Sequence, residues 1–230
     1  MLKFFRKKPH PMKIKNTLCL LLMLAFSISF AQKTAKCKCP KTEFVSNKTG
    51  TVFQFTDGNR IIACGGVDTD NDPPTYSEFI LAQCGKKNII DFWDANKICE
   101  IELKNDTLYV QQVESLPVGK GYSMEYAVWS VEKIYFYADQ IMRKIKPNKS
   151  LRKYKPTEIK AVNKLYEVAK TGDVNEKKME LANKLFIAAI SGSQKSREYL
   201  LDFKEKFKVE ESDYIDQYNE IIAKLEFWDN

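Results

Sequence analysis

Residues 76–113, YSEFILAQCGKKNIIDFWDANKICEIELKNDTLYVQQV, carry the pattern that decides the fold. Cys99, Ile101 and Leu103 alternate with Glu100, Glu102 and Lys104, the period-2 pattern of a strand with one dry face. Asn105-Asp106 follows, and both residue types tolerate the positive φ of a two-residue hairpin turn. With these two at the turn, Lys104 faces Thr107, Leu103 faces Leu108 and Ile101 faces Val110. The apolar residues then share one face, while Glu102 and Tyr109 share the other. A slip of one residue would destroy the match.

Working outward, 51–56 and 60–67 read as strands around Asp57-Gly58-Asn59, a good turn signal. Gly65-Gly66 suggests a bulge or the end of the strand. Residues 77–84 and 88–93 form a further pair around Gly85-Lys86-Lys87. The Gly/Pro-rich stretch 115–123 reads as a turn rather than a phosphate loop, because Gly119-Lys120-Gly121 lacks the spacing and the following Ser/Thr. Residues 124–129 and 131–137 are rich in β-branched and aromatic residues and read as the last two strands. Such close strand spacing predicts an antiparallel all-β domain, sandwich or barrel-like, over 44–140.

From Pro156 the period becomes helical. Ile159, Val162, Leu165, Tyr166 and Ala169 mark one stripe, and Met179, Ala182, Leu185, Phe186, Ala189 and Ile190 a second. Tyr199, Leu200, Phe203 and Phe207 mark a third, and Tyr214, Ile215, Tyr218, Ile221, Ile222 and Leu225 a fourth. Asp173 with Glu176 reads as a capping box, and Gly172 and Gly192 as helix-stopping glycines. Asn163-Lys164-Leu165-Tyr166 with Ala169 and Gly172 recurs as Asn183-Lys184-Leu185-Phe186 with Ala189 and Gly192. A four-helix bundle or short α-solenoid is therefore expected over 156–230. The expected fold class is α+β.

The N-terminus reads as an export signal. Lys3, Arg6, Lys7, Lys8, Lys13 and Lys15 precede an apolar run, and Ser29-Phe30-Ala31 offers a cleavage site, so 1–31 is the expected signal peptide. Met12 is an alternative start. The apolar run is too short for a comfortable membrane span, so no transmembrane segment is expected after cleavage. The whole chain carries a formal net charge of +7. Residues 1–31 hold six of the basic residues and none of the acidic ones, so the remainder has 31 basic against 30 acidic residues. The basic balance belongs to the signal and argues for no nucleic-acid partner.

The only histidine, His10, also lies in the signal. Without imidazole, Ser-His-Asp and Cys-His catalysis and the usual His-containing zinc sites are excluded. No catalytic residue is assigned. An exported chain favours disulfides, and Cys37, Cys39, Cys64, Cys84 and Cys99 remain to form them, with one left over. Cys64–Cys84 is the favoured pair, since both fall on expected strands. The region 32–43, with Cys37-Lys38-Cys39-Pro40, reads as an extended arm held by a disulfide. Its Cys-x-Cys resembles the start of tissue metalloproteinase inhibitors. There the first cysteine is itself the N-terminal, zinc-binding residue, whereas five residues precede Cys37 here, so no such activity follows.

Two stretches carry candidate sites. Asp68, Asp70 and Asp72, with Glu78, resemble the opening of a calcium loop, because hard oxygen ligands suit Ca²⁺. Pro73 stands where an EF-hand requires glycine, and Glu78 comes one place early. Calcium is the one possible cofactor. The second stretch, 141–155, reads as a basic linker. Arg143, Lys144, Lys146, Lys149, Arg152, Lys153 and Lys155 occur there with no acidic residue among them. These residues would contact an anionic partner, or dock the acidic last helix.

The expected function is an exported non-enzymatic binding protein, periplasmic or extracellular, acting through contacts with another exported protein. An inhibitor, an immunity-type partner and an envelope assembly factor all fit. One alternative is a structural envelope-associated protein whose basic linker binds an anionic surface of lipid or glycan. The other is a carboxylate-dependent enzyme using Asp68, Asp70, Asp72 and Glu78.

Overall fold

The hairpin at the centre of the chain forms in the expected register. Ile98–Lys104 (β5) and Thr107–Leu116 (β6) pair with Leu103 opposite Leu108, Ile101 opposite Val110 and Glu102 opposite Tyr109. Asn105 and Asp106 take φ of 50° and 53°, the left-handed conformation their short polar side chains tolerate. The structure, a computed structural model, describes residues 37–43, 50–86 and 88–230. The expected signal peptide, its cleavage site and residues 32–36 of the arm lie outside the described residues.

Among the described residues six more strands join this hairpin: Gly50–Gln54 (β1), Arg60–Asp68 (β2), Thr75–Gln83 (β3), Ile89–Trp93 (β4), Glu125–Tyr137 (β7) and Gln140–Pro147 (β8). All pair antiparallel in the order β1-β2-β3-β5-β6-β7-β8. The β3 strand divides its pairing: Thr75 and Tyr76 meet β5, whereas Phe79 to Ala82 meet β4. The expected bulge falls between Gly65 and Gly66.

Two expectations change here. Residues 125–137 form one strand rather than two, and Trp129 is the extra residue of a bulge: Gln112 faces Ser130 while Val113 faces Val128. The stretch expected as a linker, 141–155, opens with β8. Ala138 and Asp139, at φ of 47° and 61°, make the two-residue turn before it. Alanine is a poor advertisement for that turn, and the charges of β8 mask its alternation.

The sheet curls so that distant parts meet. Phe55, after β1, stacks edge-on against Phe136 of β7 with centroids 4.9 Å apart. The Thr56 amide donates to Asp106 Oδ1 at 2.8 Å, tying two hairpin turns together. The enclosed face buries Ile61, Phe79, Leu81, Leu108 and Ile134, with the Phe79 and Trp93 rings stacked at 4.7 Å. Each such residue contributes about 1.5–3 kcal/mol by leaving water. On the opposite face of β2 and β3, Ile62, Ile80 and Ala82 pack beneath the disulfides of the arm.

Five helices follow among the described residues: Pro156–Val168 (α1), Asn175–Ile190 (α2), Gln194–Leu201 (α3), Phe203–Phe207 (α4) and Ser212–Asp229 (α5). The third expected stripe is thus split at Asp202. The Glu158 carboxylate caps α1 by accepting from the Lys155 amide at 2.8 Å. Gly192 terminates α2 at φ 99° as expected. Asp173 does not cap that helix. Its carboxylate accepts from the Lys170 amide instead, and Val174 takes the cap position. Gly172 lies in the turn between α1 and α2, because α1 already ends at Val168.

Sheet and helices share one apolar core. Leu116, Val118, Trp129, Leu151 and Tyr154 pack with Val162, Leu185, Phe186, Phe203, Ile221 and Leu225. Trp129, aimed by its bulge, meets Phe186, Phe227 and Trp228 within 6.0 Å. Residues Cys37–Asn230 form one compact unit.

Candidate binding face

Alternation along β5–β8 divides the basic stretch between two faces. On the inner face, Leu103, Leu108, Ile134 and Arg143 stand in one row across the four strands. On the outer face, Glu102, Tyr109, Lys133 and Lys144 form the next row, followed by Glu100, Gln111, Val131 and Lys146. The result is a groove of about 600 Å³ lined by Lys104, Lys133, Lys144, Lys146 and Lys149, with Glu102 its one carboxylate. All five lysines are exposed.

Among the described residues, Lys104, Lys133, Lys144 and Lys146 pair with no carboxylate. Lys133 Nζ sits over the Tyr109 ring, 5.3 Å from its centroid. Lys149 anchors the groove to the helical part. It donates to the Trp228 carbonyl and lies 4.5 Å from the Trp228 ring centroid. The last helix therefore touches the basic stretch directly through Trp228. Of its charged groups, Lys224 pairs with Glu114 of β6 at 2.6 Å and with Glu220, and Asp229 pairs with Arg197 while also feeling the Lys149 ammonium. The Arg197 guanidinium holds the Asp229 carboxyl below its usual range.

The other expected contact residues are occupied or elsewhere. Arg143 points inward, where its Nε donates to Glu132 at 2.5 Å and its Nη1 to the Ile90 carbonyl at 3.0 Å. Its second Nη meets Asp91, so the side chain bridges β8 to β4. Glu132 first, and Asp91 after it, raise the Arg143 pKa against the opposing effect of burial. Arg152 donates to the Val118 carbonyl at 2.6 Å and to Glu158 at 2.7 Å. Lys155 is the N-cap residue of α1, exposed and outside the groove. Lys153 is exposed outside the groove.

The acidic loop between β2 and β3 is closed on itself. Asp68 accepts from the Asp70 amide at 2.9 Å and from the Asn71 side chain at 3.0 Å. Asp70 and Asp72 are exposed, and Glu78 lies beyond the loop on β3. The four are not brought together: among the described residues no three His, Cys, Asp or Glu side chains converge on a metal position.

The cysteines pair as Cys37–Cys84 and Cys39–Cys64, with Cα–Cα distances of 4.8 and 5.7 Å. The favoured Cys64–Cys84 pair does not form. Cys64 faces Ile80, whereas the Cys84 amide bonds to the Arg60 carbonyl, four residues along β2 and beyond bridging reach. Cys99 is a thiol buried on the opposite, inner face, and burial pushes its pKa up to about 12.

Lys104, Tyr109 and Lys133 were not legible as site residues. Each sits on the polar side of an alternating strand, and only the cross-strand register places them beside Lys144. Among the described residues, no helix is long and apolar enough to cross a membrane. No known protein family, curated protein or solved structure matches this chain.

Proposed function

We propose that this is an exported, non-enzymatic binding protein that works through protein–protein contacts, with the outer face of β5–β8 as the contact surface. One observation carries the reading. Lys133 and Lys144 stand directly opposite each other, with Lys146 on the next row, and no carboxylate of the described residues pairs with them. Like charges facing across strands are destabilising, by a few tenths of a kcal/mol in an exposed pair. An acidic partner offsets that repulsion. The two disulfides support the export reading, since such bonds persist in oxidising compartments.

The same charge suits the alternative, an envelope-associated protein holding anionic lipid or glycan, so the test separates the two. The chain, tagged at its C-terminus, is used to capture material from envelope and secreted fractions of its native host. One stoichiometric protein is expected on the wild type and on Lys153→Glu, and not on Lys144→Glu/Lys146→Glu. Retention of that protein by the double variant overturns the proposed surface. Recovery of lipid or glycan alone, released by salt, overturns the protein-contact reading.

A further inference from the structure

We infer that β8 is itself a docking strand: its free edge takes an extended segment of the partner in which acidic and apolar residues alternate. The inference rests on the binding role proposed above and adds the conformation and chemistry of the partner. β8 pairs with β7 from Gln140 opposite Tyr137 to Pro147 opposite Ser130, without a register shift. Among the described residues no other strand pairs with it. Its remaining N–H and C=O groups therefore point outward as a template for an added strand.

Edges that must stay unpaired are commonly short, bulged, broken by proline or guarded by charge, lysine above all; on β8 the guard is Lys144 and Lys146, which turn away basic strands and admit an acidic one. β8 runs eight residues, has no bulge, and carries proline only at its last position. All of its residues except Pro147 are exposed or half-buried. The side chains specify what fits. Lys144 and Lys146 lie two residues apart on the outer face, roughly 6.7 Å along the strand. Alternate residues of an added strand have the same spacing, so two carboxylates meet the two ammonium groups in register. On the inner face, Arg143 is held by Glu132 and Asp91, which leaves Ile141 and Ile145 to meet the intervening side chains. Ile145 is 54% exposed, an apolar surface uncovered at this edge. Main-chain pairing supplies affinity and the alternating side chains supply specificity, as in strand addition generally.

The test uses the full chain and a dye-labelled, end-blocked peptide, VEVEVEV, at micromolar concentration. Its comparators are the same peptide N-methylated at alternate residues, on the edge that would face β8, and VKVKVKV. Anisotropy reads binding, and hydrogen exchange reads protection of the β8 amides. Binding of VEVEVEV with increased protection in β8 is expected. Alternate N-methylation or Lys144→Glu/Lys146→Glu should each weaken it about tenfold or more. VKVKVKV should not bind. Equal binding of the N-methylated peptide overturns strand addition, as does an absence of binding by VEVEVEV. If host-protein capture still depends on Lys144 and Lys146 in that event, the binding role stands and only the docking mode falls. If capture fails too, both fall.

Discussion

Arg143 and Lys144 are adjacent, carry the same charge and do opposite jobs. Strand alternation turns Arg143 onto the inner face, where it bridges Glu132 and Asp91, and turns Lys144 out to the groove. Glu132 is almost fully buried, so Arg143 is what makes its charge tolerable. Arg143→Ala is expected to cost about 2–3 kcal/mol, the cost of stranding a buried charged hydrogen-bonding group. Replacing both partners, as Arg143→Met with Glu132→Leu, should recover most of that loss. Urea unfolding of the two variants checks this. A double variant no more stable than Arg143→Ala would remove the pair from the account.

The arm at 37–43 is too short and polar to hold itself on the sheet by burial. Its two disulfides do that, and they seal Ile62, Ile80 and Ala82 beneath it. Closing the chain between Cys39 and Cys64 restricts the unfolded ensemble across a separation of 25 residues. Cys39→Ser with Cys64→Ser should therefore cost about 2–4 kcal/mol in urea unfolding. Peptide mapping without reductant should recover Cys37 joined to Cys84 and Cys39 joined to Cys64. Cys99, buried and with its pKa pushed up to about 12, should be alkylated only after unfolding. Recovery of a Cys64–Cys84 peptide would refute this pairing.

Across the molecule, sheet and helices depend on one another. Trp129 inserts from β7 among Phe186, Phe227 and Trp228, and Lys224 of α5 is tied to Glu114 of β6 in a half-buried pair. A shared core predicts one cooperative transition, with helical circular dichroism and tryptophan fluorescence changing together. Trp129→Ala removes the central side chain at a cost of about 3–5 kcal/mol. Its helical signal should then melt before the near-ultraviolet signal of the sheet aromatics. Separate transitions in the wild type would mean that the contact does not couple the two parts. The same rigid junction sets the groove, since Lys149 reaches it from the chain segment held by Trp228.

Local pattern made much of the architecture legible in the sequence. Period-2 alternation with Asn105-Asp106 determined the central hairpin to the residue, and period-3.6 stripes located the helices. Both follow from neighbours a few residues apart, which is all that periodicity can encode. β8 escaped because its turn begins with Ala138 and its alternation is crowded with charge. The tertiary structure alone decided the rest. Cysteine pairing depends on which rungs of β2 and β3 lie beneath the arm. The lysine groove depends on the register that sets Tyr109 of β6 beside Lys133 of β7 and on the packing that brings Lys149 to Trp228. Such long-range adjacency is fixed by how the sheet curls and packs, and no window of sequence contains it.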